Sequence, residues 1–108
     1  MLHELRVYQC APGRMSALLK RFENVTLALF KKHNIRPIGF WTTVIGESNH
    51  HLHYIVAWDS FDEREKTWAA FGADPEWLTK KAESERDGVI VTNVSTTLLR
   101  PTNFSPAK

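Results

Sequence analysis

Along residues 3–10 apolar and polar side chains alternate, with Leu5 and Val7 on one parity and Arg6 and Tyr8 on the other. That period predicts a strand. Pro12-Gly13 breaks it, and from about Met15 the repeat lengthens: Met15, Leu18, Leu19, Phe22, Thr26 and Leu29 follow the spacing of an amphipathic helix. Lys31, Lys32 and His33 fall in its last turn, where cations suit the helix dipole, and Asn34 fits the left-handed position that follows. Two further strands are predicted at about Ile35–Ile45 and His51–Asp59, joined as a hairpin by the turn residues Gly46-Glu47-Ser48-Asn49. Ser60-Phe61-Asp62-Glu63 is a capping box, with Ser60 as N-cap. It opens a helix whose inner face is expected to hold Phe61, the stem of Arg64 or Glu65, Trp68 and Phe71, ending at Gly72 or Ala73. Asp74-Pro75 starts another helix, because Asp caps well and Pro is tolerated at the first helical position. It runs through Trp77 to about Arg86, and Asp87-Gly88 turns the chain into a last strand, Val89–Leu99, rich in β-branched residues. Pro101 stops that strand and leaves a tail over 101–108.

The order is β-α-β-β-α-β, an α+β chain of ferredoxin-like type, with a four-stranded antiparallel sheet and helices on one face. Both hairpin strands carry bulky residues of both parities, Ile38 and Phe40 against Trp41, and Tyr54, Val56 and Trp58 against Ile55 and Ala57. Both sheet faces are therefore expected to be buried, while one helix layer covers only one of them. The face away from the helices is expected to carry Arg6, Tyr8 and either Trp41 or its neighbours. A second copy of the chain is the simplest cover, so a homodimer is expected.

At 108 residues the chain fits one domain, and 43% hydrophobic with 24% charged residues is ordinary globular composition. A formal charge of +2 is too small to argue for nucleic acid or a membrane surface. No stretch has the apolar length of a membrane span, and the N-terminus has neither a secretory nor a transit pattern, so a cytoplasmic protein is expected. Cys10 is the only cysteine, which rules out an intrachain disulfide and reads as an inert buried thiol. Lys20, Arg21, Lys31 and Lys32 make the first helix basic, which reads as a solvated outer face.

His50, His51 and His53 form the most conspicuous cluster, with His51 and His53 on one face of a strand. Two imidazoles begin a metal site, but no third ligand lies nearby in sequence, so no metal and no cofactor is expected. Four Trp, six Phe and two Tyr have to be packed somewhere. Trp41, Tyr54, Trp58, Trp68 and Trp77 are candidates to line a flat apolar pocket between sheet and helices, with Arg6, Tyr8 and Arg64 as its polar anchors for a carboxylate or phenolate. The competing reading places these aromatics in core and dimer interface and pairs Arg6 with Glu4 or Glu63. There is no phosphate-binding glycine loop and no dinucleotide fingerprint.

Glu4-Leu5-Arg6-x-Tyr8 followed by Pro12-Gly13, then Gly39-Phe40-Trp41-Thr42, Trp58-x-Ser60-Phe61-x-Glu63-Arg64, Asp74-Pro75-Glu76-Trp77 and the ending Pro101-Thr102-Asn103-Phe104-Ser105-Pro106 together resemble NIPSNAP-family domains. The resemblance runs through nearly the whole chain in order, and the chain looks like a bacterial single-domain member, without the leader and extra domain of animal members. It implies a dimeric α+β barrel. The wider superfamily includes cofactor-independent monooxygenases, haem-degrading enzymes, small lactone isomerases and proteins with no assigned activity. The function expected is therefore a homodimer that binds a small aromatic or conjugated molecule, with oxygenase or isomerase activity as the catalytic version. His51 and His53 are its proton-transfer candidates, because imidazole titrates near neutrality. The alternative is a non-catalytic interaction or structural protein whose aromatics serve only core and dimer.

Overall fold

The computed structural model describes residues 1–108 and has the element order β1 (Leu2–Cys10), α1 (Met15–Arg21), a π-helical turn (Phe22–Thr26), α2 (Leu27–Lys32), β2 (Arg36–Thr42), β3 (His51–Trp58), α3 (Phe61–Gly72), α4 (Pro75–Ser84) and β4 (Val91–Leu99). The strands form one antiparallel sheet in the order β2-β3-β1-β4, the ferredoxin-like arrangement. At its thinnest the molecule measures 19 Å, enough for one sheet and one layer of helices. Local chemistry accounts for the element ends. Ser60 Oγ accepts from the Glu63 backbone N–H at 3.1 Å, and Glu63 Oε1 reaches back to accept from the Asp59 backbone N–H at 2.7 Å. Asp74 Oδ1 caps α4 by accepting from the Glu76 backbone N–H at 2.9 Å. Asn34 leaves α2 in the left-handed region at φ 60.

The first helical run is continuous but not uniformly α. Leu18, Phe22, Thr26 and Phe30 are all buried, a strict four-residue spacing that would drift around an α-helix of 3.6 residues per turn. The π turn inserts the extra residue that holds them on one face. Leu19, expected on the inner stripe, is 40% exposed as a result. The far end of this run is tied to the start of α4, since Lys32 Nζ and His33 Nε2 both lie 2.8 Å from Asp74 Oδ2.

Which sheet face meets the helices differs from the expectation. Register pairs Glu4 with Val56, Arg6 with Tyr54 and Tyr8 with Leu52, and this is the helix-side face. Tyr54, Val56 and Trp58 are buried there with Phe22, Phe30 and Phe71 from the helices. Arg6 and Tyr8 therefore point toward the helices, and Leu5 and Val7 toward the open face. The physical reason is mutual satisfaction: the charged parity of β1 is internally paired and hydrogen-bonded, so it tolerates burial. The open face carries Leu5, Val7, His51, His53, Ile55 and Trp41, all half-buried except Trp41 at 51% exposed. Trp41 lies back along its own strand, its ring 2.9 Å from where a Cβ on Gly39 would stand. Of the two sheet faces, the helices bury only one.

Two strand boundaries also shift, and so does the inner face of α3. β2 ends at Thr42, because its pairing stops at Thr42 with Leu52, and Val44 and Ile45 stand almost fully in solvent. β4 begins at Val91, after Gly88 at φ 132 has turned the chain. Phe61 is 55% exposed, so the inner stripe of α3 is Arg64, Trp68 and Phe71 without it.

Candidate functional site

Glu4 is the centre of the helix-side face. It is fully buried and accepts six hydrogen bonds. Oε1 receives the indole N–H groups of Trp58 and Trp68, each at 2.9 Å, and Arg64 Nε at 3.0 Å. Oε2 receives Arg64 Nη2 at 3.0 Å, Thr96 Oγ1 at 3.0 Å and Arg6 Nη1 at 3.2 Å. Burial alone would raise its pKa, but the donors from Arg64, Trp68 and Trp58, with the Arg6 charge, outweigh it and lower the pKa to about 2. The carboxylate thereby orients two tryptophans and two arginines donated by β1, β3 and α3.

Arg6 is held from every side. Besides Glu4, Nε donates to Tyr54 Oη at 2.8 Å, Nη2 to Tyr8 Oη at 3.3 Å and Nη1 to Thr96 Oγ1 at 3.1 Å. Its guanidinium stacks over the Trp68 ring at 4.5 Å. Tyr54 Oη in turn donates to Tyr8 Oη at 3.0 Å. Burial, followed by the neighbouring Tyr8, keeps the Tyr54 phenol protonated well above its ordinary range.

Above this network a cleft of about 570 Å³ opens between β1, β4 and helices α1, α3 and α4. Its walls include Trp68, Trp77 and Tyr8, and its polar groups include Arg6, Arg21 and Arg64. Its lining, more than its volume, suits a small organic molecule, since a depression over the exposed loop from Thr43 to His50 is of similar size, about 530 Å³, but has no tryptophan or tyrosine wall. Of the sequence candidates, Arg6, Tyr8, Arg64, Trp68 and Trp77 meet at this cleft. Tyr54 and Trp58 lie beneath it, 0% and 1% exposed, as supports. Trp41, His51 and His53 lie on the opposite sheet face, with His53 Nε2 3.0 Å from Thr43 Oγ1. Nowhere do three or more His, Cys, Asp or Glu side chains converge in a way that could hold a metal ion.

Two cleft residues escaped the sequence reading. Arg21 was expected on a solvated face but is 5% exposed, its guanidinium 5.5 Å from the Trp77 ring centre. The signal was present, since Arg21 sits three residues after Leu18, on the buried stripe. Lys81 stands one turn after Trp77 on the same face of α4 and also lines the cleft. Glu4 was read only as a partner for Arg6; nothing local marks it as the hub, because most of its donors lie 54 to 92 positions away.

With this geometry in hand, comparison with known proteins decides the family. The NIPSNAP family model matches residues 3–106. The chain belongs to the NIPSNAP family. Among solved structures, a NIPSNAP-family protein of unknown function from Agrobacterium tumefaciens is 30% identical, with 100% of this chain and 94% of that one covered at a TM-score of 0.86. An uncharacterized NIPSNAP domain protein from Burkholderia xenovorans is 24% identical over 98% and 99% of the two chains, at a TM-score of 0.84. More distantly, a Nitrosomonas europaea protein provisionally described as an antibiotic biosynthesis monooxygenase superposes at a TM-score of 0.62. It is 9% identical over 94% of this chain and 98% of that one, a likeness of fold alone. No curated protein matches this NIPSNAP chain. No helix is long and apolar enough to cross a membrane.

Proposed function

We propose that this NIPSNAP domain binds a small, planar, aromatic or conjugated molecule in the cleft between sheet and helices, and does so as a homodimer. The observation that carries the binding reading is the space beside Trp68. An interaction protein whose aromatics served only packing would fill that space, whereas here Arg6, Arg64 and Trp68 border an open cleft of about 570 Å³. The Glu4 network supports the same reading, because it holds the cleft's walls in place before any ligand arrives, and ordered walls lose less entropy on binding. The open sheet face supports the dimer: Leu5, Val7 and Ile55 form an apolar stripe that no helix covers, and pairing the same face from two copies buries it.

The oxygenase or isomerase version has the fold likeness in its favour but needs a proton acceptor within reach of the ligand. Glu4 is saturated by donors, Glu65 at the cleft wall is paired with Arg64 Nη1, and His51 and His53 face the other way.

The test uses 2-naphthamide, a flat uncharged aromatic, titrated by calorimetry into the wild-type chain and an Ala69→Trp variant. Ala69 is exposed and lines the cleft, so the new indole fills the space without touching the core. Binding by the wild type and its loss in the variant are expected. Equal binding by both, or a wild type that binds neither 2-naphthamide nor the corresponding acid, would refute the cleft as the site.

A further inference from the structure

The cations of the cleft are not equivalent, and their difference specifies the ligand. Arg6 and Arg64 are neutralised within the fold: both donate to Glu4, and Arg64 Nη1 also pairs with Glu65. Arg21 is not. Its guanidinium makes one hydrogen bond, from Nη1 to Ser84 Oγ at 3.2 Å, and its buried Nε has no partner. Glu85 faces it electrostatically, but Glu85 Oε2 is engaged elsewhere, accepting from the Ile90 backbone N–H at 3.2 Å, and the Arg14 charge opposes the Glu85 effect. An arginine only 5% exposed, beside an indole and short of acceptors, is an unusual thing for a fold to keep unless something else completes it. Lys81 stands near the same end of the cleft, one helical turn beyond Trp77, and has no ion pair in the chain.

We propose, building on the reading of the cleft as a ligand site, that the ligand is an aromatic or conjugated carboxylic acid whose carboxylate is received by Arg21, with Lys81 adding charge and Trp77 and Trp68 flanking the ring. A guanidinium presents its donors as a planar fork that matches a carboxylate. The indole walls match the flat body to which such a carboxylate is attached. Arg6 and Arg64 then shape the cleft, and Arg21 selects what enters it. The sequence reading had given the anchoring role to Arg6, Tyr8 and Arg64.

The experiment compares 2-naphthoate with its uncharged analogue 2-naphthamide, titrated by calorimetry into the full chain as wild type, Arg21→Met and Lys81→Met. The wild type is expected to bind naphthoate about tenfold or more tighter than naphthamide, the range of a charge-assisted hydrogen bond. Arg21→Met should abolish that preference by weakening naphthoate far more than naphthamide, because the amide offers the guanidinium one neutral carbonyl acceptor where the carboxylate offers two charged oxygens. Lys81→Met, at an exposed position that cannot unfold the core, should weaken naphthoate alone by a few fold. Equal affinity of the wild type for both probes overturns the acid preference while leaving the cleft reading intact. Undiminished naphthoate preference in both variants overturns the role of Arg21. Binding of neither probe overturns the cleft reading as well.

Discussion

Replacing Glu4 by Gln probes the arrangement on which the whole helix-side face depends. Each carboxylate oxygen accepts three donors, so either orientation of the amide turns its NH2 group against three N–H or O–H groups. The substitution also removes the counter-charge of Arg6 and Arg64. Taking one partner from a buried ion pair costs about 3–5 kcal/mol. An independent route gives a similar figure: the Glu4 pKa falls from 4.5 to about 2, and at roughly 1.4 kcal/mol per unit that is about 3 kcal/mol. The carboxylate's folded pKa is depressed, so this stability is fully present above pH 4.5 and is lost as pH falls toward 2. Linkage leaves only about 1 kcal/mol of it at pH 3. Urea unfolding at fixed protein concentration, at pH 7 and pH 3, measures both quantities. Glu4→Gln should lie about 3–5 kcal/mol below wild type at pH 7, with the gap shrinking by about 2 kcal/mol at pH 3. A gap under about 1 kcal/mol at pH 7, or one that does not change with pH, would refute the assignment of Glu4 as the charged hub.

Three further outcomes follow from other parts of the fold. Val7→Asp and Ile55→Lys, on the open sheet face, should each turn a dimer into a folded monomer by sedimentation velocity, and an unchanged dimer mass would place the interface elsewhere. Ser60→Ala removes the acceptor for the Glu63 backbone N–H and should cost about 1 kcal/mol in chemical denaturation, with no loss meaning that the cap contributes nothing. Asn34→Ala places a Cβ in the left-handed region at φ 60 and should cost about 1 kcal/mol, whereas Asn34→Gly should stay within a few tenths. Equal melting of those two variants would remove the backbone explanation.

What the chain reveals on its own divides along a physical line. Caps and turns are local, so Ser60, Asp74, Asn34 and Gly88 could be read from a few neighbouring residues, and the element order followed from them. The orientation of β1 was not legible, because alternation identifies two faces without saying which is inside. By hydrophobicity Leu5 and Val7 are the better interior pair, yet Glu4, Arg6 and Tyr8 face the helices, Glu4 buried and the other two half-buried, because their partners arrive from β3, β4 and α3. Periodicity carries no information about such distant pairing. The same blindness moved Arg21 to the outside in the sequence reading, since its charge outweighed its place on the buried stripe. Of the pocket, the tryptophans and Arg64 were found by residue type, while the distinction between neutralised and unpaired arginines needed the folded chain.

In the proposed function the helix-side cleft, and no other surface, receives a small aromatic molecule. The four tryptophans make this directly measurable, because Trp68 and Trp77 line the cleft, Trp58 supports it through Glu4, and Trp41 lies on the far face. Nuclear magnetic resonance of the four indole N–H signals during titration with 2-naphthoate is the measurement. Saturable shifts at Trp68 and Trp77, with Trp41 unmoved, are predicted; no shifts, or shifts confined to Trp41, would contradict the account.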